Sequence, residues 1–175
     1  KRQAIDTGSS NYPKCTIRLF ETLGDDFSQP VTLDRVNGNC VWIGMSPIKQ
    51  SLYVISWVYD GVATDGEIIE YTSDEIDLAI SEQWTNSERG EAGSILHSGI
   101  TVDRDTDEIF MSPEGRALII QESGTNTWTL DTKSNSLTTA SFNINCPRIK
   151  SGFLSESYFF DCDQMFELDT GTRLE

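Results

Sequence analysis

The stretch RALIIQESGTNTWTLDTKSNSLTTA, residues 116–140, decides the fold of this 175-residue chain. Its apolar runs "RALIIQE" (116–122) and "TWTLD" (127–131) are rich in the aliphatic, β-branched and aromatic residues that pack well in strands. Gly, Asn, Ser and Asp stand between and after these runs, as turn chemistry requires. The stretch therefore predicts successive antiparallel strands joined by short turns.

The same punctuation runs along the rest of the chain, and predicts further strands over residues 15–22, 40–45, 51–59, 67–72, 108–112 and 156–162. Residues 73–84 fit a short helix with Ser73 or Asp74 as N-cap, although the alternation of Ile76, Leu78 and Ile80 also fits a strand. The sequence therefore predicts an all-β fold, an antiparallel β-sandwich or barrel built from hairpins. A trefoil and a small propeller are the alternatives, with at most one short helix.

Three hairpin turns share one plan in the second half, at "VDRDTDEI" (102–109), "LDTKSNSL" (130–137) and "LDTGTRL" (168–174). In each, an apolar residue precedes Asp, a polar turn follows, and an apolar residue resumes. Asp at the first turn position can accept a bond from the N–H two residues on, and Gly or Asn tolerates positive φ. We expect residues 13–175 to form a single all-β domain, and residues 1–12 to be a flexible N-terminal segment.

The net charge of the chain limits the classes of molecule that are expected to bind it. Thirteen Lys and Arg against 28 Asp and Glu give a net charge of −15 and a pI near 4.3. Phosphate backbones and anionic membrane surfaces would be repelled, so neither nucleic acid nor a membrane is an expected partner. The chain is expected to be a monomer.

The four cysteines indicate the compartment. Cys15, Cys40, Cys146 and Cys162 include no CxxC pair and the chain has one histidine, which argues against a zinc site. An even, well-spread set fits two disulfides in a secreted, extracellular protein, and free thiols in a cytosolic protein are the alternative. Three pairings are possible; short loops between neighbouring strands favour Cys15–Cys40 with Cys146–Cys162. The dibasic Lys1-Arg2, a site for secretory-pathway proteases, supports secretion.

Two Asp-Thr-Gly strings raise the question of an aspartic protease. That chemistry needs two carboxylates sharing a proton, each on a loop behind an apolar strand. Asp6 has only five residues before it, and Asp169 belongs to the hairpin-turn plan. We therefore expect Asp169 to be a turn residue without a catalytic role.

A calcium loop is the only cofactor site that the sequence suggests. Asp103, Asp105, Asp107 and Glu114 have the spacing of EF-hand ligands, but Glu108 stands where the sharp turn needs Gly. The flanks are strands, so a structural hairpin is favoured over a Ca²⁺ site. No cofactor is expected.

Candidate binding and catalytic residues are few. Trp84 and Trp128 stand in polar surroundings and are candidates for a sugar-stacking platform. The sole histidine, His97, lies among small residues, and the chain lacks a G-x-S-x-G motif, which favours a surface or half-buried role without catalysis. Carboxylate pairs of the glycosidase kind are an alternative, because 28 acidic residues offer many pairs.

Two neighbouring segments carry a resemblance. An aromatic-Asx-Cys step in "YFFDCDQMFELD" (158–169) follows the hairpin "TWTLDTKSNSLTT" (127–139). Because of these two segments, the C-terminal half resembles small secreted, cysteine-containing fungal proteins, including cell-wall-associated proteins and plant-pathogen effectors. The resemblance implies a stable scaffold that acts by surface recognition, with virulence as its context.

These observations predict a secreted, non-enzymatic binding protein, an effector that recognises a host component. A carbohydrate-binding or wall-associated protein is the first alternative, with a cell-wall polysaccharide as partner. A glycosidase-type hydrolase is the second.

Overall fold

A computed structural model describes residues 4–5, 14–19, 22–23, 26–27, 31–59, 64–81, 93–100, 108–120, 127–140, 153–161 and 164–174. The strands of the first half are β1 (Ala4–Ile5), β2 (Lys14–Leu19), β3 (Thr22–Leu23), β4 (Asp26–Phe27), β5 (Val31–Asn37), β6 (Asn39–Met45), β7 (Leu52–Tyr59), β8 (Thr64–Tyr71) and β9 (Ser94–Ile100). The helix α1 (Ser73–Ser81) lies between β8 and β9. The strands of the second half are β10 (Glu108–Met111), β11 (Arg116–Ile120), β12 (Thr127–Asp131), β13 (Ser136–Ala140), β14 (Phe153–Leu154), β15 (Tyr158–Asp161), β16 (Gln164–Glu167) and β17 (Arg173–Leu174).

The chain divides into two compact units, residues 1–43 with 51–101 and residues 44–50 with 102–175. The single domain expected over 13–175 stays a prediction. So does the flexible segment 1–12, of which the structure describes only Ala4 and Ile5, paired with β2.

The first unit contains two main sheets, with strand orders β1-β2-β5 and β6-β7-β8-β9, and the two-stranded ribbon β3-β4. Only Gly38 separates β5 from β6, and its φ of 91° lies in the region that glycine favours. The chain therefore bends at Gly38 and passes from the first sheet to the second, as strands do at the corners of a sandwich.

One hydrophobic core joins these two sheets. Leu33 from β5 and Val54, Ile69 and Tyr71 from β7 and β8 are buried together, and Ala79 of α1 packs on them. A fully buried aliphatic or aromatic side chain stabilises the fold by about 1.5–3 kcal/mol. Tyr53, Ile55 and Ile68 on the other face of β7 and β8 are buried as well, so these strands are covered on both faces at these positions.

The helix predicted near residue 73 is present over Ser73–Ser81. Its N-cap is Thr72, one residue before the predicted Ser73 and two before Asp74. The Thr72 hydroxyl accepts the Glu75 N–H at 3.3 Å, and a Glu75 carboxylate oxygen accepts the Thr72 N–H at 2.8 Å. This reciprocal pair is a capping box, which the sequence Thr-Ser-Asp-Glu encodes.

The second unit consists of two consecutive four-stranded meanders, β10-β11-β12-β13 and β14-β15-β16-β17. Leu118 and Ile120 of β11 face Phe159 and Phe166 of the second sheet across a shared core. The Phe110 and Phe159 rings lie 5.2 Å apart and tilted by 49°, a favourable aromatic arrangement. In both units, therefore, one core lies between two antiparallel sheets.

All the strand pairings described are antiparallel, and no sheet in the described part of the chain closes into a barrel. The predicted all-β, sandwich-like class with at most one short helix is confirmed.

Candidate functional site

Of the two residues of the predicted aromatic platform, Trp84 and Trp128, the structure describes only Trp128. Trp84 lies outside the described residues. Trp128 stands on β12, half-buried, opposite Ile119 on one neighbouring strand and Thr139 on the other. A shared platform of these two residues stays a prediction.

Of the four candidate calcium ligands, the structure describes only Glu114. Asp103, Asp105 and Asp107 lie outside the described residues, and Glu114 lies in the turn between β10 and β11. Glu114 is half-buried, and its Oε2 is buried without a hydrogen-bond partner among the described residues. The described part of the chain contains no group of three residues able to hold a metal ion. The calcium site stays a prediction.

The hairpin turn at residues 130–137 follows the predicted plan. Asp131 accepts the N–H of Lys133, two residues on, at 2.9 Å and the hydroxyl of Ser134 at 3.0 Å. Burial opposes ionisation of Asp131, but these two bonds and the nearby charges of Arg116 and Lys133 lower its pKa below the ordinary value. At the turn tips Asn135 has a φ of 56° and Gly171 a φ of 67°.

Asp169 is a turn residue, as predicted. Its carboxylate lies 3.0 Å from the Arg116 guanidinium, and its side chain is 75% exposed. An exposed ion pair of this kind contributes little to stability. The turn itself is closed by the Gly171 N–H, which donates to the Glu167 carbonyl at 2.8 Å. Asp6, the other half of the hypothetical protease pair, lies outside the described residues.

Two buried carboxylates in the first unit bear on the glycosidase alternative. Tyr71 donates to Asp34 Oδ2 at 2.7 Å, and Tyr53 donates to Glu70 Oε1 at 2.8 Å. Because Glu70 and Tyr71 are adjacent on β8, their side chains point to opposite faces of the sheet. Asp34 and Glu70 therefore lie on opposite sides of β8 and do not line one cleft, as a glycosidase pair must.

The Tyr71–Asp34 bond is expected to be a stability determinant. Both residues are buried, so Tyr71→Phe leaves the Asp34 carboxylate without this donor, at an expected cost of about 1.5–3 kcal/mol in the free energy of unfolding. Denaturant unfolding of Tyr71→Phe, Asp34→Asn and the double variant measures the coupling. A Tyr71→Phe variant as stable as the parent would contradict this.

The same bond predicts a pH dependence. Burial, the hydrogen bond to Asp34 and the charges of Asp34 and Glu75 raise the pKa of Tyr71 far above its ordinary value. The unfolded chain releases this proton near pH 10 and the folded chain does not. Stability should therefore be complete below about pH 10 and fall above it by up to about 1.4 kcal/mol per pH unit. Tyr71→Phe should remove that part of the slope.

The remaining candidate residues are His97 and the four cysteines. His97 is half-buried on β9, opposite Ile68 of β8. Cys15 of β2 and Cys40 of β6 form a disulfide with a Cα–Cα distance of 5.6 Å, which confirms the first of the two favoured bridges and ties the two sheets of the first unit together. Cys146 and Cys162 lie outside the described residues.

Exposed apolar side chains that the sequence did not reveal stand on α1 and at the start of β9. Glu75 Oε1 accepts the Gly93 N–H at 3.0 Å, so the start of β9 lies against the first turn of the helix. Leu78 follows Glu75 by one helical turn, and Ile95 follows Gly93 by two residues. Leu78 is 42% and Ile95 59% exposed, and Asp74, four residues before Leu78, is also exposed. We call Asp74, Leu78 and Ile95 the helix–edge surface.

A second such surface lies on the sheet β14–β17. Tyr158 and Phe160 alternate with the buried Phe159 and are 39% and 40% exposed. Across the sheet, Phe160 pairs with Met165 and Met165 with Leu174, while Tyr158 pairs with Glu167. We call this the outer face; its residues are Tyr158, Phe160, Met165, Glu167 and Leu174. The alternation in "YFFD" places Tyr158 and Phe160 on one face, but does not indicate which face is covered.

Comparisons with known protein families, with curated proteins and with solved structures found no match to this chain. The resemblance to small secreted fungal proteins therefore remains an expectation. In the described part of the chain, no helix has the length and apolar character needed to cross a membrane.

Proposed function

We propose that this protein is a secreted binding protein with no catalytic activity of its own. Its partner is a host protein, as for a plant-pathogen effector of the fungal type. The proposal rests on the exposed apolar side chains of Leu78 and Ile95, which stand on two segments that the Glu75–Gly93 hydrogen bond joins. Large exposed apolar side chains beside an exposed carboxylate are typical of a surface that another protein covers.

The negative charge of α1 and of the whole chain indicates which kind of partner would bind. Asp74 and Asp77 are exposed on α1, the last turn of the helix has no basic residue, and the chain carries −15 overall. A partner with apolar side chains bordered by Lys or Arg would match Leu78 and Ile95 in shape and Asp74 in charge. Its association rate should fall as salt rises, because the attraction of opposite charges is screened.

The compartment rests on the disulfide. Cys15–Cys40 is typical of an oxidising environment, which supports an extracellular protein. Such a bridge also lets a small β scaffold present a recognition surface without a large core.

The test is capture from host extracellular fluid by the immobilised protein, compared with a Leu78→Lys/Ile95→Lys double variant. The matched control is Ile43→Lys, since Ile43 is also an exposed apolar residue of the first unit, 43% exposed. We expect at least one protein to be retained by the parent and the control, to be lost from the double variant, and to elute as salt is raised. The same proteins on all three surfaces would refute this role of the helix–edge surface.

Co-sedimentation with insoluble chitin, β-glucan and cellulose at about pH 5–6, where a chain of such low pI stays anionic, tests the carbohydrate alternative. We expect the protein to remain in the supernatant. If it pellets with a polysaccharide and a Trp84→Ala/Trp128→Ala variant does not, the carbohydrate-binding alternative replaces the host-protein proposal.

A further inference from the structure

The loop over residues 46–50 connects two strands of one unit but belongs to the other. The chain leaves the first unit at Gly44, returns to it at Ser51, and contributes the residues between them to the second unit. β6 and β7, which precede and follow the loop, are neighbouring strands of one sheet. The loop is compact, because the Gln50 N–H donates to the Ser46 carbonyl at 3.0 Å. A short, ordered loop between two paired strands is therefore part of the second unit.

A chain of buried hydroxyl groups anchors this loop to the first meander of the second unit. The Ser46 hydroxyl lies 2.8 Å from the Thr132 hydroxyl, and Thr132 donates in turn to the Gly115 carbonyl at 2.6 Å. Because Thr132 uses its proton in that bond, Ser46 is the donor to Thr132. Both hydroxyl residues are completely buried. The loop is thus bonded to the β12–β13 turn directly and, through Thr132, to the β10–β11 turn.

Close packing and a rim contact surround these hydroxyl groups. Gly115 has a φ of 84°, and a Cβ on it would stand 2.6 Å from Thr132 Oγ1 and 3.1 Å from Ile48 Cδ1. Only glycine allows the backbone to approach the loop this closely in this conformation. At the rim, the Lys49 ammonium donates to Asn135 Oδ1 at 2.8 Å, across 86 positions of sequence. The loop therefore fits the two turns by shape as well as by hydrogen bonds.

We propose that residues 46–50 form a latch that couples the unfolding of the two units. While the first unit is folded, the pairing of β6 with β7 holds the ends of the loop together, so docking orders few additional groups. When the first unit unfolds, the second unit must order the same loop at the full cost in conformational entropy. The second unit is then less stable. Because coupling of this kind is reciprocal, the docked loop also stabilises the β6–β7 hairpin.

The latch has a consequence that does not depend on what the protein binds. Proteases cleave chains that open locally or partly, and the rate follows the population of the open form. Two units that open independently would expose the weaker one at its own, lower free energy of opening. Two units joined by the latch open together, so the weaker unit is protected by the stability of the other.

The test is native-state hydrogen exchange of the full chain, followed by NMR as denaturant is raised towards the unfolding transition. The reporters are the slowest-exchanging amides of the strand pair β7–β8 in the first unit and of β11–β12 in the second. In the parent we expect both sets to converge on one free energy of opening, because the units open together. The latch variant Ser46→Ala/Ile48→Ala should separate the opening equilibria of the two sets by at least about tenfold.

The matched control is Ser51→Ala/Ile43→Ala, which makes the same two replacements just outside the loop, in the first unit. Ser51 is buried like Ser46, and Ile43 and Ile48 are 43% and 44% exposed. The control should leave the two sets of amides together, whatever its effect on overall stability. Far-UV circular dichroism checks that the variants are folded, and Ser46→Ala alone gives the same comparison with a milder change.

Three results would overturn the latch. The first is a parent whose two sets of amides keep different free energies of opening up to the unfolding transition. The second is a folded latch variant in which the two sets stay together as in the parent. The third is equal separation in the latch variant and in the control, because the β6–β7 hairpin as a whole would then carry the coupling.

Discussion

Loss of the Cys15–Cys40 disulfide is expected to lower the free energy of unfolding of the first unit by about 3–4 kcal/mol. The two cysteines are 25 residues apart, and closing a loop of this length restricts the unfolded chain by roughly that amount. The bond also joins two sheets: Cys15 pairs with Val36 in the first sheet, and Cys40 stands on β6 of the second. Both cysteines are buried in the core that these sheets share.

Denaturant unfolding of a Cys15→Ala/Cys40→Ala variant without reductant measures this bridge alone. The parent in reductant is the comparison, because reductant also acts on any bridge between Cys146 and Cys162. If reductant destabilises the variant further, the second bridge exists. A double variant as stable as the parent would mean that the bridge adds nothing to the stability of the first unit.

The turns could be predicted from the sequence because their chemistry is local. An Asp side chain can reach the N–H two residues away without help from the rest of the fold, and the Asp131–Lys133 bond is that contact. Asp169 is an exception, because its carboxylate pairs with Arg116 and the Gly171 N–H donates to the Glu167 carbonyl. The positive φ of Asn135 and Gly171 is also a local property, because Asn and Gly tolerate this backbone conformation better than other residues do. The capping box at Thr72 and Glu75 is equally local, yet the predicted N-cap was one or two residues too late because Ser73 and Asp74 are also good caps.

The arrangement of the sheets was left open because it depends on contacts between residues far apart in sequence. Alternation places Tyr158 and Phe160 on one face and Phe159 on the other, but both sets are aromatic. Only the packing of β14–β17 on β10–β13 decides which set forms the core. The helix–edge surface was missed for a similar reason, since the Glu75–Gly93 bond joins segments 18 residues apart.

Buried polar pairs were also beyond the reach of the sequence. Tyr71 and Asp34 are 37 residues apart, and nothing in either neighbourhood distinguishes this Asp from the other acidic residues. Tyrosine is amphipathic, so a buried Tyr needs a partner for its hydroxyl, but the identity of that partner is set by the fold. In a chain with 28 acidic residues, burial separates the structural carboxylates from the solvated ones.

Phe159 and Phe160 are adjacent on β15, and we expect their replacement by alanine to lower the free energy of unfolding by very different amounts. Phe159→Ala should destabilise the second unit by about 3–5 kcal/mol, because Phe159 is fully buried and its removal leaves a cavity beside Phe110 and Leu118. Phe160→Ala, one residue along the strand, should cost about 1 kcal/mol or less in dilute solution, because its ring is 40% exposed.

Thermal and denaturant unfolding of both variants at low micromolar concentration or below keeps any second copy from contributing. Equal costs would contradict the placement of Phe159 inside and Phe160 outside, and a larger cost for Phe160→Ala would reverse the two faces of the sheet. The comparison therefore separates the two faces of one strand: Phe159 stabilises the fold through its complete burial, and Phe160, which is 40% exposed, contributes less.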